Sequence, residues 1–102
     1  MPYPMNNSVG TLTSSAATIV TAGTNSQMAV NLYNSGTAST VATLYIRQSG
    51  GGADIPIWNV TLAPGDTTIW PPYSTWNMGP SDVIKGKDTY GVAVAWVVGS
   101  IQ

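Results

Sequence analysis

The chain has 102 residues, the size of one ordinary domain, with a charged fraction of 7% against about 25% in typical soluble domains and a net charge of −1. Its three basic residues cannot make an electrostatic footprint for nucleic acid, and no apolar run approaches the ~20 residues of a membrane helix. Cysteine and histidine are both absent, which excludes disulfides, thiolate metal sites, the common nucleophile–base pairs and most zinc ligand sets.

Residues 1–8, Met-Pro-Tyr-Pro-Met-Asn-Asn-Ser, lack the basic segment and apolar stretch of a secretion signal. Two prolines favour an extended conformation, so the chain is read as an arm over residues 1–10 followed by one domain over residues 11–102. Tyr3 and Met5 are candidate anchors of that arm on a neighbouring subunit; a frayed terminus is the plainer alternative.

Beyond the arm, period-two alternation dominates wherever the chain is apolar, and no segment has helical period. Strands are expected over residues 17–21 and 28–33, the latter with Met28, Val30 and Leu32 on one face. Asn34-Ser35-Gly36 supplies a turn. A strand over 41–47 follows, with Ala42, Leu44 and Ile46 on one face. Ser49-Gly50-Gly51-Gly52 is a connector. The next strand, 55–62, accepts Pro56 near its start and aligns Trp58, Val60 and Leu62. Ala63-Pro64-Gly65-Asp66 reads as a type II turn into a strand over 67–70, which stops at Pro71-Pro72. Short strands over 75–78 and 83–86 flank the turn Gly79-Pro80-Ser81-Asp82. Residues 87–91 form the last connection, and the final strand, 92–98, sets Val92, Val94, Trp96 and Val98 against Ala93, Ala95 and Val97. Seven to eight short strands separated by regular turns predict an all-β fold, an antiparallel β-sandwich of jelly-roll type.

Little in the chain looks like chemistry. Asp66 and Asp82 each follow a Pro-containing turn, where Asp bonds to nearby backbone N–H groups. Asp88 with Lys85 and Lys87 reads as a solvated mixed-charge loop. Neither a calcium loop nor a phosphate loop is present. No catalytic residue, metal or cofactor is assigned, and the chain is not expected to be an enzyme. The densest aromatic stretch is Trp70-Pro71-Pro72-Tyr73-Ser74-Thr75-Trp76. Packing in the core or at a subunit interface is its first reading and stacking against a sugar its second, which makes Trp70, Tyr73 and Trp76 candidate interface residues beside Tyr3 and Met5.

Three pieces of sequence carry a resemblance: VNLYNSGTASTVATLYI, a hairpin; VTLAPGDTTIW, two strands about a Pro-Gly turn; and MGPSDVIKGKDTYGVAVAWVVGSI, an Asp-bearing turn and a last alternating strand. From Met28 onward this order is similar to small β-sandwich proteins encoded among the virion genes of tailed bacteriophages. Pro80 and Ser81, standing between Gly79 and Asp82, depart from the usual acidic-loop pattern. The resemblance implies a capsid decoration (cement) protein or a small tail or neck component, located in the virion after assembly in the host cytoplasm. Its implied partners are the major capsid protein or other virion proteins and further copies of the chain, as a trimer or a dimer. Neither nucleic acid nor membrane is an expected partner. The composition agrees with association, because the edges of a β-domain with so few charges are poorly protected. The rival reading is a carbohydrate- or receptor-binding module of a phage tail or adhesin.

Overall fold

A computed structural model describes residues 5–23, 25–48, 51–72 and 75–101. Nine strands run in chain order: β1 Met5–Thr11, β2 Ala17–Thr21, β3 Ser26–Asn34, β4 Thr40–Arg47, β5 Ile55–Leu62, β6 Thr67–Trp70, β7 Trp76–Met78, β8 Val83–Asp88 and β9 Val94–Ile101. They form two antiparallel sheets. Sheet A has the order β1-β9-β3-β6, with β7 also paired to β3, and sheet B has the order β2-β8-β4-β5. Counting β6 and β7 as one interrupted strand, each sheet interleaves strands from both ends of the chain, the double Greek key of a jelly roll.

The interruption has a local cause. β3 moves only from Val30 to Met28 while the chain beside it goes from Trp70 to Trp76, so the ladder is interrupted between those two tryptophans. Pro71 and Pro72 have no N–H to donate, and a sheet edge is where such a break is tolerated. The same rule places Pro56 on β5, the edge of sheet B, where the register with β4 shifts between Leu44 and Tyr45.

The core lies between the sheets. Met28, Val30 and Leu32 of β3, Ala42, Leu44 and Ile46 of β4, and Val94 and Val98 of β9 point inward and are buried, as their alternation requires. Trp58, Val60 and Trp96 pack against that cluster. The ring of Trp96 occupies the space above Gly10 of β1, where a Cβ would lie 2.5 Å from the ring carbon Cζ2.

Two expectations need amending. Residues 5–10 of the segment read as an extended arm form β1 together with Thr11 and pair along β9 from Met5↔Ile101 to Thr11↔Ala95, while residues 1–4 of that segment lie outside the described residues. Met-Asn-Asn-Ser-Val-Gly-Thr has no apolar alternation to announce a strand; backbone pairing on the free side of β9 makes it one. The last strand starts at Val94, because residues 88–93 are held in a loop by Asp88, described below.

Candidate functional surface

The two tryptophans that bound the aromatic stretch, Trp70 and Trp76, pack on the core. Trp70 is 6% exposed and belongs to the core, which removes it from the candidate interface. Trp76 is half-buried and its ring lies 5.2 Å from that of Trp70, centre to centre, tilted by 38°. Pairing of Val30 with Trp70 and Met28 with Trp76 puts both indoles on the inner face of β3, beside two core residues. Met5 begins β1. Tyr3 and Tyr73 lie outside the described residues.

Large exposed apolar residues lie elsewhere: Ile55 at the start of β5 and Tyr90 in the loop after β8 stand apart, and the other four, Val9, Tyr33, Ile69 and Val97, share the outer face of sheet A. Register carries one row across four strands: Val9 of β1 opposes Val97 of β9, Val97 opposes Asn31 of β3, and Asn31 opposes Ile69 of β6. Directly opposed residues point to the same side of a sheet. Val9 is 73% exposed, Val97 41% and Ile69 43%. The neighbouring row is Thr11, Ala95, Tyr33 and Thr67, in which Tyr33 is 44% exposed; on the other side lie Gly99 and Ala29. Alternation separates Val97 from the inward residues of its own strand, but register, a property of pairing and not of any one strand, is what brings its row beside that of Tyr33.

No strand of sheet A carries a charged residue. Arg47, Lys85, Lys87 and Asp88 lie on β4 and β8 of sheet B, and Asp54, Asp66 and Asp82 lie in connections. On the sheet B side Asp54 accepts hydrogen bonds from Arg47 Nε at 2.9 Å and Lys85 Nζ at 2.8 Å. The Lys85 hydrogen bond holds the Asp54 carboxyl below the ordinary carboxylate range; partial desolvation opposes this, and the charges of Arg47 and Lys85 reinforce it.

Asp88 corrects the solvated-loop reading. It is fully buried at the end of β8. Its Oδ1 accepts from Thr40 Oγ1 at 2.5 Å and Gly91 N at 3.1 Å, and its Oδ2 accepts from Val92 N at 2.8 Å and Ala93 N at 3.2 Å. Gly91 and Ala93 have positive φ, at 63° and 93°. The carboxylate thus folds residues 88–93 into a loop around itself. A legible signal existed: Asp followed three residues later by Gly is a turn that Asp closes with its own side chain. Buried Asn34 works beside it, donating from Nδ2 to the carbonyls of Ala38 and Leu62 and accepting from Gly36 N.

Asp66 and Asp82 hold twin turns. In each, the Asp N–H donates to the carbonyl three residues back (Ala63, Gly79), and the Asp Oδ2 accepts the N–H of that same residue, at 2.9 and 3.0 Å. The third position has positive φ in both, Gly65 at 83° and Ser81 at 70°. This is the structural role the sequence reading gave both residues. Among the described residues no group of three His, Cys, Asp or Glu side chains could hold a metal ion.

No family model and no curated protein matches the sequence. Among solved structures, the chain is similar to one from work on Bacillus endospore appendages, described as a novel family of disulfide-linked pili. The superposition has a TM-score of 0.62 at 12% identity and covers 98% of this chain and 84% of the other. At that identity the likeness is one of fold.

Proposed function

We propose that this chain is a non-enzymatic structural subunit of a tailed-phage virion, a capsid decoration protein that stabilises a shell by adding contact area to it. The observation that carries the assembly role is the distribution of charge and apolar surface. Sheet A exposes Val9, Val97, Ile69 and Tyr33 on a face whose strands hold no charge. Monomeric domains guard such surfaces with charged side chains, whereas burial in an assembly removes the need. The polar residues support the same reading, since Asp66, Asp82 and Asp88 are committed to turns and loops and leave no carboxylate pair for chemistry. The jelly roll recurs in viral capsid and lectin domains, and the phage assignment itself rests on the sequence resemblance. Such a protein acts by mass action: binding only to the assembled shell, it stabilises that state by RT ln(1 + [L]/Kd) per site.

A filament subunit is the second reading, favoured by the fold shared with the endospore appendage protein. Lacking cysteine, this chain would need to hold a filament together without disulfides. A glycan-binding role has less support, because Trp70 is in the core and Trp76 packs against it.

The test is immunogold electron microscopy of phage particles from the source culture, using antibody raised against the pure protein. Gold on the shell supports decoration. Labelled tails or necks move the role along the particle, and labelled fibres free of phage select the filament. Particles without label overturn the virion reading.

A further inference from the structure

We infer that the outer face of sheet A pairs with the same face of a second copy, forming a two-fold dimer. The inference deepens the assembly reading and rests on it in one respect, that the chain works by association.

Charge identifies the occupant. A partner that set ions against Val9, Val97, Ile69 and Tyr33 would desolvate them with no counter-charge on sheet A to receive them. Within this molecule the opposite face is unsuitable for that reason, because Arg47, Asp54, Lys85 and Lys87 belong to sheet B or its connections. Sheet A itself brings no charge, so two copies meet without repulsion and without a buried ion.

Geometry agrees. Apolar residues stand at both ends of the central row, Val9 on one edge strand and Ile69 on the other, with Asn31 on β3 between Val97 and Ile69. A two-fold axis lying along that row sets each of its residues against its own copy, and so brings the Asn31 side chains of the two copies together. An amide supplies both a donor and an acceptor, so each Asn31 can satisfy the other. The small residues Ala29, Ala95 and Gly99 keep the relief of β3 and β9 low, as close face-to-face packing of sheets requires. The four strands, from four residues in β6 to nine in β3, cover on the order of 450 Å² in plan at ~4.8 Å spacing and ~3.3 Å per residue. Side-chain relief raises this towards the ~600 Å² per partner at the lower end of specific interfaces, so the dimer is expected to depend on concentration. Such a contact is isologous and closes at two copies, which favours the dimer over the trimer.

The experiment combines sedimentation equilibrium, from micromolar to millimolar chain, with disulfide trapping. The cysteine-free background allows a single Asn31→Cys substitution. The wild type should pass from monomer to dimer, Asn31→Cys should trap a covalent dimer on mild oxidation, and Thr61→Cys on the edge of sheet B should not. Val97→Lys should weaken association by roughly tenfold or more, with its folding checked by circular dichroism. A wild type that stays monomeric throughout, a limiting trimer, or trapping through position 61 in preference to 31 would each overturn the pairing. The two proposals fail separately: a monomer that still labels phage shells defeats the dimer alone, and a dimer that labels no particle defeats the virion reading alone.

Discussion

The outer face of sheet A and the polar end of the sandwich are built on opposite principles. On the first, exposed valine, isoleucine and tyrosine stand on strands without charge. At the second, Asn34, Thr40 and Asp88 are fully or almost fully buried, yet among the described residues no buried side-chain nitrogen or oxygen lacks a partner. Ser35 adds a bond from its N–H to the Ala93 carbonyl, and Gly36 sits so close to Val92 that a Cβ would lie within 1.9 Å of the carbonyl oxygen. Polar residues therefore specify the fold at one end, while apolar ones are spent on a surface. Damage to the end should cost stability, and damage to the face should cost association and little else.

The largest effect is expected at Asp88. Replacing it by Ala leaves the Val92 and Ala93 N–H groups without their acceptor, although Gly91 N keeps a bond to the Asp88 carbonyl. Buried donors left unpaired cost about 1–3 kcal/mol each, so Asp88→Ala should lose about 3–5 kcal/mol in urea unfolding and Asp88→Asn, which retains one acceptor oxygen, clearly less. Equal losses for the two variants would mean that shape and not hydrogen bonding holds the loop. Next comes Gly10→Val, which drives a side chain into the Trp96 ring and should cost about 1–3 kcal/mol as the indole is displaced, with a change in tryptophan fluorescence to mark it. By contrast, Val97→Lys should stay within about 0.5 kcal/mol of the wild type, since the side chain already faces outward.

The same contrast decides what could be read from the sequence. Alternation gives β2, β5 and β6 their observed bounds and sorts Met28, Val30, Leu32, Ala42 and Leu44 to the buried face, because a half-buried strand writes its environment into every second residue. β1 writes nothing of the kind: its partner β9 lies at the far end of the chain, and Gly10 is there to make room for Trp96. Asp88 escaped because burial of a charge depends on donors from Thr40 and the 91–93 backbone converging on it, not on its sequence neighbours Lys85 and Lys87. The candidate surface was missed for a related reason. A tryptophan-rich segment attracts attention, but the chain packs its indoles in or against the core and shows Val9 and Val97, and only the register of four strands brings those valines together with Ile69.

A smaller effect, of opposite sign, is expected at the twin turns. Ser81 occupies with φ of 70° the position that Gly65 fills at 83° in the matching turn. An L-residue in the left-handed region carries a steric cost that glycine avoids, partly offset by the freedom glycine loses on folding. The Ser81 side chain is exposed, so nothing buried is lost with it. Ser81→Gly should stabilise the domain by about 0.5–1 kcal/mol in thermal or urea unfolding, while Gly65→Ser should destabilise it. If both substitutions destabilise, the two turns are not equivalent.

The smallest effect is a dependence on pH through Asp54. Its folded pKa lies below the ordinary value of 3.8, chiefly because Lys85 donates to the carboxylate, with the charges of Arg47 and Lys85 adding to the shift against partial desolvation. A depressed folded pKa means that the unfolded chain binds the proton more tightly. The contribution to stability is therefore fully present above the unfolded value and disappears as pH falls from about 4 through the lowered folded value. Asp54→Asn should unfold more easily than the wild type at neutral pH, and the gap should narrow below pH ~4 and in high salt, which screens exposed charges. Difference unfolding curves measured at low and neutral pH decide the matter: an Asp54→Asn gap that widens on acidification reverses the sign of the linkage and removes the ion pairs as its cause. If the gap behaves as expected while Asp54→Asn leaves the sedimentation profile unchanged, the charged side of the molecule is stabilising the monomer, and association belongs to the uncharged face.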